Sequence, residues 1–140
     1  MKKYFLEKYK ALLPYQKELD EYFSGERRDF GDLEISMEDW EGTEFQKEVW
    51  RAMREIPAGE TRSYKWIASR IGRPKSTRAV GSACGKNPLP VIIPCHRVIK
   101  SDGSLGEYSG GGVEVKKALL EREGLEIRRA KNMYMAGIIC

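Results

Sequence analysis

The sequence predicts an α+β chain whose larger, C-terminal part is mostly helical and contains a helix-turn-helix, with a short N-terminal subdomain ahead of it. Three observations lead there. Apolar residues recur at helical spacing in three successive stretches between Thr43 and Gly85. The second and third stretches are joined by the tight turn Gly72-Arg73-Pro74. Composition also shifts across residues 24–43, where Ser24-Gly25-Glu26-Arg27-Arg28-Asp29 reads as a polar turn and Gly42-Thr43 opens a new element. The division is placed so that residues 1–40 form the subdomain and 41–140 the working domain.

Taken in order, helices are expected around 2–13 and 15–23, separated by Pro14, and a short strand over 30–36. Thr43 and Gln46 fit a capping box, in which hydroxyl and amide satisfy each other's backbone donors. Phe45, Val49, Met53 and Ile56 follow at helical spacing, and Pro57-Ala58-Gly59 stops the helix. Ser63 is the expected N-cap of a second helix carrying Tyr64, Ile67, Ala68 and Ile71 and ending at Gly72. A third runs from about Lys75 to Gly85 and is closed by Asn87-Pro88. Its residues Ser76 to Ala83 are unusually small, which suits either close approach to DNA or close packing of two helices in a core. Val91-Ile92-Ile93 reads as a buried strand or extended segment, Lys100 to Ser104 as a polar hairpin-like stretch, and Tyr108 to Gly112 as flexible. A last helix over 113–123 turns Val115, Leu119 and Leu120 inward and stops at Gly124.

Composition narrows the function classes. An apolar share of 41% over 140 residues supports a packed core without disulfides or a structural metal. Met1-Lys2-Lys3 leads into a mixed, charged segment, and no apolar run is long enough to cross a bilayer, so a cytoplasmic protein without membrane contact is expected. Cys84, Cys95 and Cys140 form no CxxC pair, which speaks against a disulfide framework or a zinc ribbon. The net charge of +4 is compatible with nucleic-acid binding without demanding it. Amides are scarce (Gln16, Gln46, Asn87, Asn132) beside abundant Glu, Lys and Arg, a balance that leans thermophilic.

The chemistry gathers at Cys95. A free thiol is only about 3% thiolate at neutral pH, and the thiolate is the nucleophile. Something must take the proton. The single histidine of the chain, His96, stands next to the thiol at the end of an apolar run and behind Pro94. Neighbours on an extended segment point to opposite sides, so a thiol–imidazole contact requires a local turn or a bridging water. Glu123, by itself, reads as an ordinary solvated residue.

Pro94-Cys95-His96-Arg97-Val98 resembles the active-site signature of the O6-alkylguanine-DNA alkyltransferases. The likeness extends, in the family's order, over Gly59-Glu60-Thr61, Ser63-Tyr64, Arg78-Ala79-Val80-Gly81, Asn87-Pro88 and Tyr108-Ser109-Gly110-Gly111, and Lys116 and Glu123-Gly124 complete it. The resemblance implies a winged-helix-like domain and a single-turnover transfer of an alkyl group from guanine O6 to Cys95, with neither metal nor cofactor. It implies His96 as base through a water and Glu123 as the carboxylate behind it. Tyr64 would serve the guanine ring nitrogen. The backbone at Ser109, beside Tyr108, would reach O6, and the carbonyls of Cys95 and Val98 would accept from the exocyclic amine. Asn87 would brace the active-site turn. Arg78 would fill the space left by a base extruded from the duplex, and Ala79 and Gly81 would let the helix approach the minor groove closely. The implied partner is double-stranded DNA containing O6-alkylguanine, bound by a monomer.

The sequence departs from the family in four places. Its N-terminal part is shorter than in many members, and the glycine run after Ser109 has an additional residue. Cys84 stands where a larger apolar residue is common and reads as buried filler. Cys140 is expected to be exposed and dispensable. Rival readings are a lesion-binding protein that does not transfer, a cysteine hydrolase built on Cys95, His96 and Glu123, and a plain helix-turn-helix regulator. The first normally lacks the cysteine, the second would turn over, and the third leaves 94–98 and 108–111 without a purpose.

Overall fold

The computed structural model describes residues 1–130 and 132–136. It is an α+β structure of six α-helices, two 3₁₀ segments and two small sheets among those residues. The opening is not one helix up to Pro14. Helix α1 (Lys2–Lys8) ends at Tyr9, whose backbone is extended. A 3₁₀ segment Lys10–Tyr15 follows with Pro14 inside it, since the fixed proline φ suits that winding. Helix α2 (Gln16–Ser24) then closes on Gly25 in the left-handed conformation.

No strand forms over residues 30–36. Phe30 is buried as an anchor, and the carbonyls of Phe30 and Leu33 accept from Arg54 Nη2 at 2.9 and 2.8 Å. A side chain thus satisfies backbone groups that a strand partner would otherwise have served.

Helix α3 (Glu44–Met53) starts with the expected reciprocal bonds between Thr43 and Gln46. Strand β1 (Arg62–Ser63) leads directly into helix α4 (Tyr64–Arg70), where the Ser63 side chain accepts from Trp66 N. Gly72, at φ +77°, turns the chain toward helix α5 (Thr77–Gly85). Helices α3, α4 and α5 pack against one another, and Trp50 Nε1 donates to the Ala83 carbonyl at 2.9 Å. The helix-turn-helix is therefore held from behind by α3.

Val91-Ile92-Ile93 is buried, but it is an irregular turn and no strand. Val91 has φ +77°, which ends any extended run. The segment folds back through Ile93 N to Leu89 O and Cys95 N to Ile93 O, both at 2.8 Å. A 3₁₀ turn, Cys95–Arg97, then leads into strand β2 (Val98–Ile99), which pairs in parallel with β1. That pairing sets the start of α4 beside the Cys95 turn. Helix α6 (Val113–Arg122) ends at Glu123, with Gly124 at φ +100°.

A hairpin of β3 (Ile127–Ala130) and β4 (Met133–Ala136) follows, which periodicity did not reveal. Its one legible cue is Asn132, left-handed at φ +66°, a residue type that tolerates hairpin turns. The expected 100–104 turn is present and carries this hairpin, through Leu105 N to Tyr134 O at 3.0 Å and Ala136 N to Gly103 O at 2.9 Å.

The main core joins Phe5, Leu12, Leu19 and Tyr22 from the first part of the chain to Trp50, Ile67, Val80 and Leu119. A smaller cluster of Ile99, Leu105, Leu120 and Ala136 lies under the hairpin. No described helix is long and apolar enough to cross a membrane.

Candidate active site

The 3₁₀ turn at 95–97 resolves how adjacent Cys95 and His96 can work together. Cys95 comes to a cleft of about 840 Å³, whose walls include Tyr64, Arg78, Gly81, Tyr108 and Ser109. His96 points the other way, into the core, and is fully buried. Its Nε2 lies 2.8 Å from Glu123 Oε2. A carboxylate only accepts, so Nε2 carries the proton and Nδ1 is the free acceptor. Nδ1 is buried and has no hydrogen-bond partner among the described residues.

Glu123 is far from solvated. Its Oε1 accepts from Arg97 Nε, and its Oε2 from Arg97 Nη2, both at 2.8 Å, and from the Tyr22 hydroxyl at 2.7 Å. Burial opposes its charge, but His96 and Arg97 outweigh that and hold the carboxyl well below the usual carboxylate range. Arg97 also donates to the Ile56 carbonyl at 2.7 Å, and Arg28 Nη2 donates to the Glu123 carbonyl at 2.9 Å.

Burial pushes the Cys95 thiol up, against a hydrogen bond from Asn87 and the charge of Lys116. Burial likewise holds His96 below its ordinary value, with the Glu123 charge opposing. The resting pair is thus a neutral thiol beside a neutral imidazole. Asn87 does not face the cleft. Its Nδ2 donates to Ile93 O at 2.8 Å and to Cys95 Sγ at 3.2 Å, and its Oδ1 accepts from Leu89 N at 2.9 Å. One side chain therefore pins both ends of the irregular 87–95 segment and touches the sulfur.

Val98 is buried behind the cleft, and its carbonyl accepts from Lys116 Nζ at 2.7 Å. Lys116 is fully buried and also donates to the Leu105 and Glu107 carbonyls at 2.5 and 3.3 Å. Burial pushes its ammonium down to about 8. It ties β2 to the cleft rim at 105–107. The rim is fastened from outside as well: the Ser109 carbonyl accepts from Lys8 Nζ and the Tyr9 hydroxyl at 3.1 and 3.0 Å. This oxygen is engaged, so the amide N–H of Ser109 is the backbone group left for a ligand. Tyr108, in the segment expected to be flexible, is buried, and its carbonyl accepts from Gly112 N at 2.7 Å.

Tyr64 lines the cleft, and burial pushes its phenol up, so the hydroxyl stays a donor. Arg78 and Ala79 are exposed on α5, and Arg78 and Gly81 both line the cleft. Cys84 also lines the cleft, its thiol 3.5 Å from Met53 Sδ and pushed far up by burial, which makes it a poor nucleophile. Cys140 lies outside the described residues. Among those residues no three His, Cys, Asp or Glu side chains gather where they could hold a metal ion.

Sequence reasoning assigned no role to Tyr22, Arg97 or Lys116. For Lys116 a signal existed: it lies three and four residues before Leu119 and Leu120 and seven before Glu123, on the inward face of α6. Arg97 stands inside the 94–98 signature but nothing local pairs it with Glu123, and Tyr22 had no signal, because that partner is distant in sequence.

A profile described as the DNA-binding domain of 6-O-methylguanine DNA methyltransferase matches residues 44–125. The chain belongs to this family. Among relatives of the methyltransferase family, the methylated-DNA–protein-cysteine methyltransferase of Methanosarcina barkeri is 51% identical over 112 residues, 80% of this chain and 68% of that protein. The Mycobacterium tuberculosis protein of the same name is 53% identical over 106 residues, 76% of this chain and 61% of its own. The chain thus spans about two thirds of the length of the curated relatives it matches. A crystal structure of Mycobacterium tuberculosis OGT in complex with DNA superposes with a TM-score of 0.69 at 51% identity, over 76% of this chain and 62% of that one. Schizosaccharomyces pombe Atl1, in complex with damaged DNA containing O6-carboxymethylguanine, does so at 0.61 and 33% identity, over 69% and 92%.

Proposed function

We propose that the chain repairs DNA by moving an alkyl group from guanine O6 to Cys95, once per molecule. The observation that carries this reading is the buried relay behind the thiol: Cys95 at the cleft, His96 with Nδ1 free, and Glu123 kept anionic on the far side. His96 Nδ1 takes the thiol proton through a water, and the imidazolium faces Glu123. The sulfur lone pair forms the S–C bond in line as the C–O6 bond breaks. The electron pair leaves on the guanine, where the Tyr64 hydroxyl meets it at the ring and the Ser109 N–H at O6, and the proton that His96 took passes back through water to the base, so that guanine, thioether and neutral imidazole remain.

Reaching the sulfur requires the base to leave the duplex. Arg78, exposed on α5 and lining the cleft, would occupy the gap, and the small surface of Ala79 and Gly81 would let α5 come close to the minor groove. The product thioether has no route to hydrolysis at this site, so one molecule repairs one lesion.

A second reading, lesion binding without transfer, is favoured only by the likeness to Atl1 and leaves the relay idle. The deciding experiment is the intact mass after incubation with duplex containing O6-methylguanine. A gain of one methylene, mapped to Cys95 and absent in Cys95→Ser, is expected, with DNA binding by Cys95→Ser retained. An unchanged mass with bound lesion would select the second reading.

A further inference from the structure

The carboxylate behind His96 has a partner that the relay does not need for its alignment. Tyr22 lies on α2, outside the residues 44–125 that match the family profile. Its hydroxyl donates to Glu123 Oε2, the same oxygen that takes His96 Nε2 and Arg97 Nη2. Arg97, bonded to both oxygens, already fixes the carboxylate plane. A third donor on Oε2 therefore does something besides orient. It draws on the same lone pairs and weakens the acceptor left for His96.

We propose that Tyr22 is a positioning residue that acts through Glu123 to hold down the basicity of His96, and so sets the pH range over which Cys95 can give up its proton. The inference rests on the reading of His96 as the base.

The groups facing this pair are few. His96 is met by Cys95 from its own turn, by the Tyr108 ring at 6.5 Å between centroids, and by the charges of Glu123, Arg97 and Lys116. Glu123 is met by Tyr22 from α2, by Arg97, and at its carbonyl by Arg28, while the charge of Arg122 is felt at Tyr22. Arg97 and Lys116 oppose a charged imidazole and Glu123 favours it. Tyr22 itself stays neutral, because burial and then the Glu123 charge push its phenol far up. Removing its hydroxyl thus changes no formal charge. It leaves Oε2 with two donors instead of three, which makes it a better acceptor for His96 Nε2–H and stabilises the imidazolium.

His96 is the only histidine in the chain, so its imidazole signals identify themselves in a nitrogen-15 or carbon-13 NMR titration of the intact protein. In Tyr22→Phe the His96 midpoint is expected to rise by about one pH unit. The acid limb of the single-turnover rate on O6-methylguanine duplex should move up with it. A packing role alone would lower the rate at all pH values, or the melting temperature, and leave the midpoint in place. An unchanged or lowered midpoint in Tyr22→Phe overturns the proposal. So does a midpoint that moves in Tyr22→Leu and not in Tyr22→Phe, since the ring and not the hydroxyl would then be responsible. Absence of methyl transfer by the unaltered protein would overturn the proposed function instead, and the titration would still read out Tyr22.

Discussion

A thiol whose ionisation is opposed by burial must lose its proton close to the moment of attack, and the residues around Cys95 are arranged for that order of events. The amide of Asn87 touches a sulfur that stays uncharged at rest, and the neutral imidazole, backed by the anionic carboxylate, stands behind it. This protects the nucleophile from other electrophiles while the cleft is empty. Lys116 pays in stability for tying three carbonyls together, and the cost depends on pH. Its folded value of about 8 lies below the roughly 10.4 of an unfolded lysine. Between those values the unfolded chain holds more protons, so the contribution of Lys116 to stability is least favourable below pH 8 and improves as pH rises. Raised thiols such as Cys84 and Cys95 work in the opposite direction above about pH 8.5, which is why a difference is the clean measurement. Urea unfolding of wild type and Lys116→Met at pH 7.5 and 9.5 should show the wild type gaining on the variant by about 2 kcal/mol across that interval. Cys95 and His96 were legible in the sequence because their chemistry is local and their spacing is minimal. Glu123 was legible only through the resemblance, since a glutamate at a helix end becomes a buried anion only when Arg97 and Tyr22 close around it.

At the scale of elements, the caps and stops were the readable part. Thr43, Ser63, Gly72 and Gly124 each act through one side-chain bond or one positive φ within a few residues of the helix end they define. The apolar run 91–93 misled because burial by itself does not separate a strand from a buried loop. Here the deciding group is the Asn87 amide, which satisfies a carbonyl that a neighbouring strand would have taken. Helix α5 has its inner face fastened to α3 through Trp50 and its outer face open, so it can enter a groove without disturbing the core. Arg78→Ala should therefore slow repair of duplex DNA strongly while barely affecting reaction with the free base O6-benzylguanine, provided that base enters the cleft. Only the duplex reaction includes the few kcal/mol of unstacking. Equal slowing in single-turnover assays of the two substrates would place Arg78 in the chemistry and not in base extrusion.

For the molecule as a whole, the site is a joint product of segments that lie far apart in the chain, and this ties its stability to the state of Cys95. Methylation adds a carbon beside a sulfur already 3.2 Å from Asn87 Nδ2, removes the S–H donor, and presses on the segment that links Cys95 to α5. Overfilling a packed site costs typically about 1–3 kcal/mol. Methylated protein should accordingly melt lower than unreacted protein by roughly 2–8 °C, in paired melting curves on samples of verified mass. An equal or higher value would mean that the cleft absorbs the group without strain. The sharing of one core by the first forty residues and the rest was not visible in the sequence, because the polar turn at 24–29 separates them along the chain and says nothing of what lies across it.

The bonds from Lys8 to the Ser109 carbonyl and from Tyr22 to Glu123 each join residues 101 positions apart. During synthesis the first helices leave the ribosome well before their partners have been translated. Cys95 emerges in between, when neither the fastened rim nor the anionic carboxylate yet exists. On the growing chain it is an ordinary thiol with an ordinary neighbour. Until translation has passed Glu123 there is no carboxylate to set the His96 tautomer, so the transfer proposed for Cys95 begins only once the segments on either side of it have met.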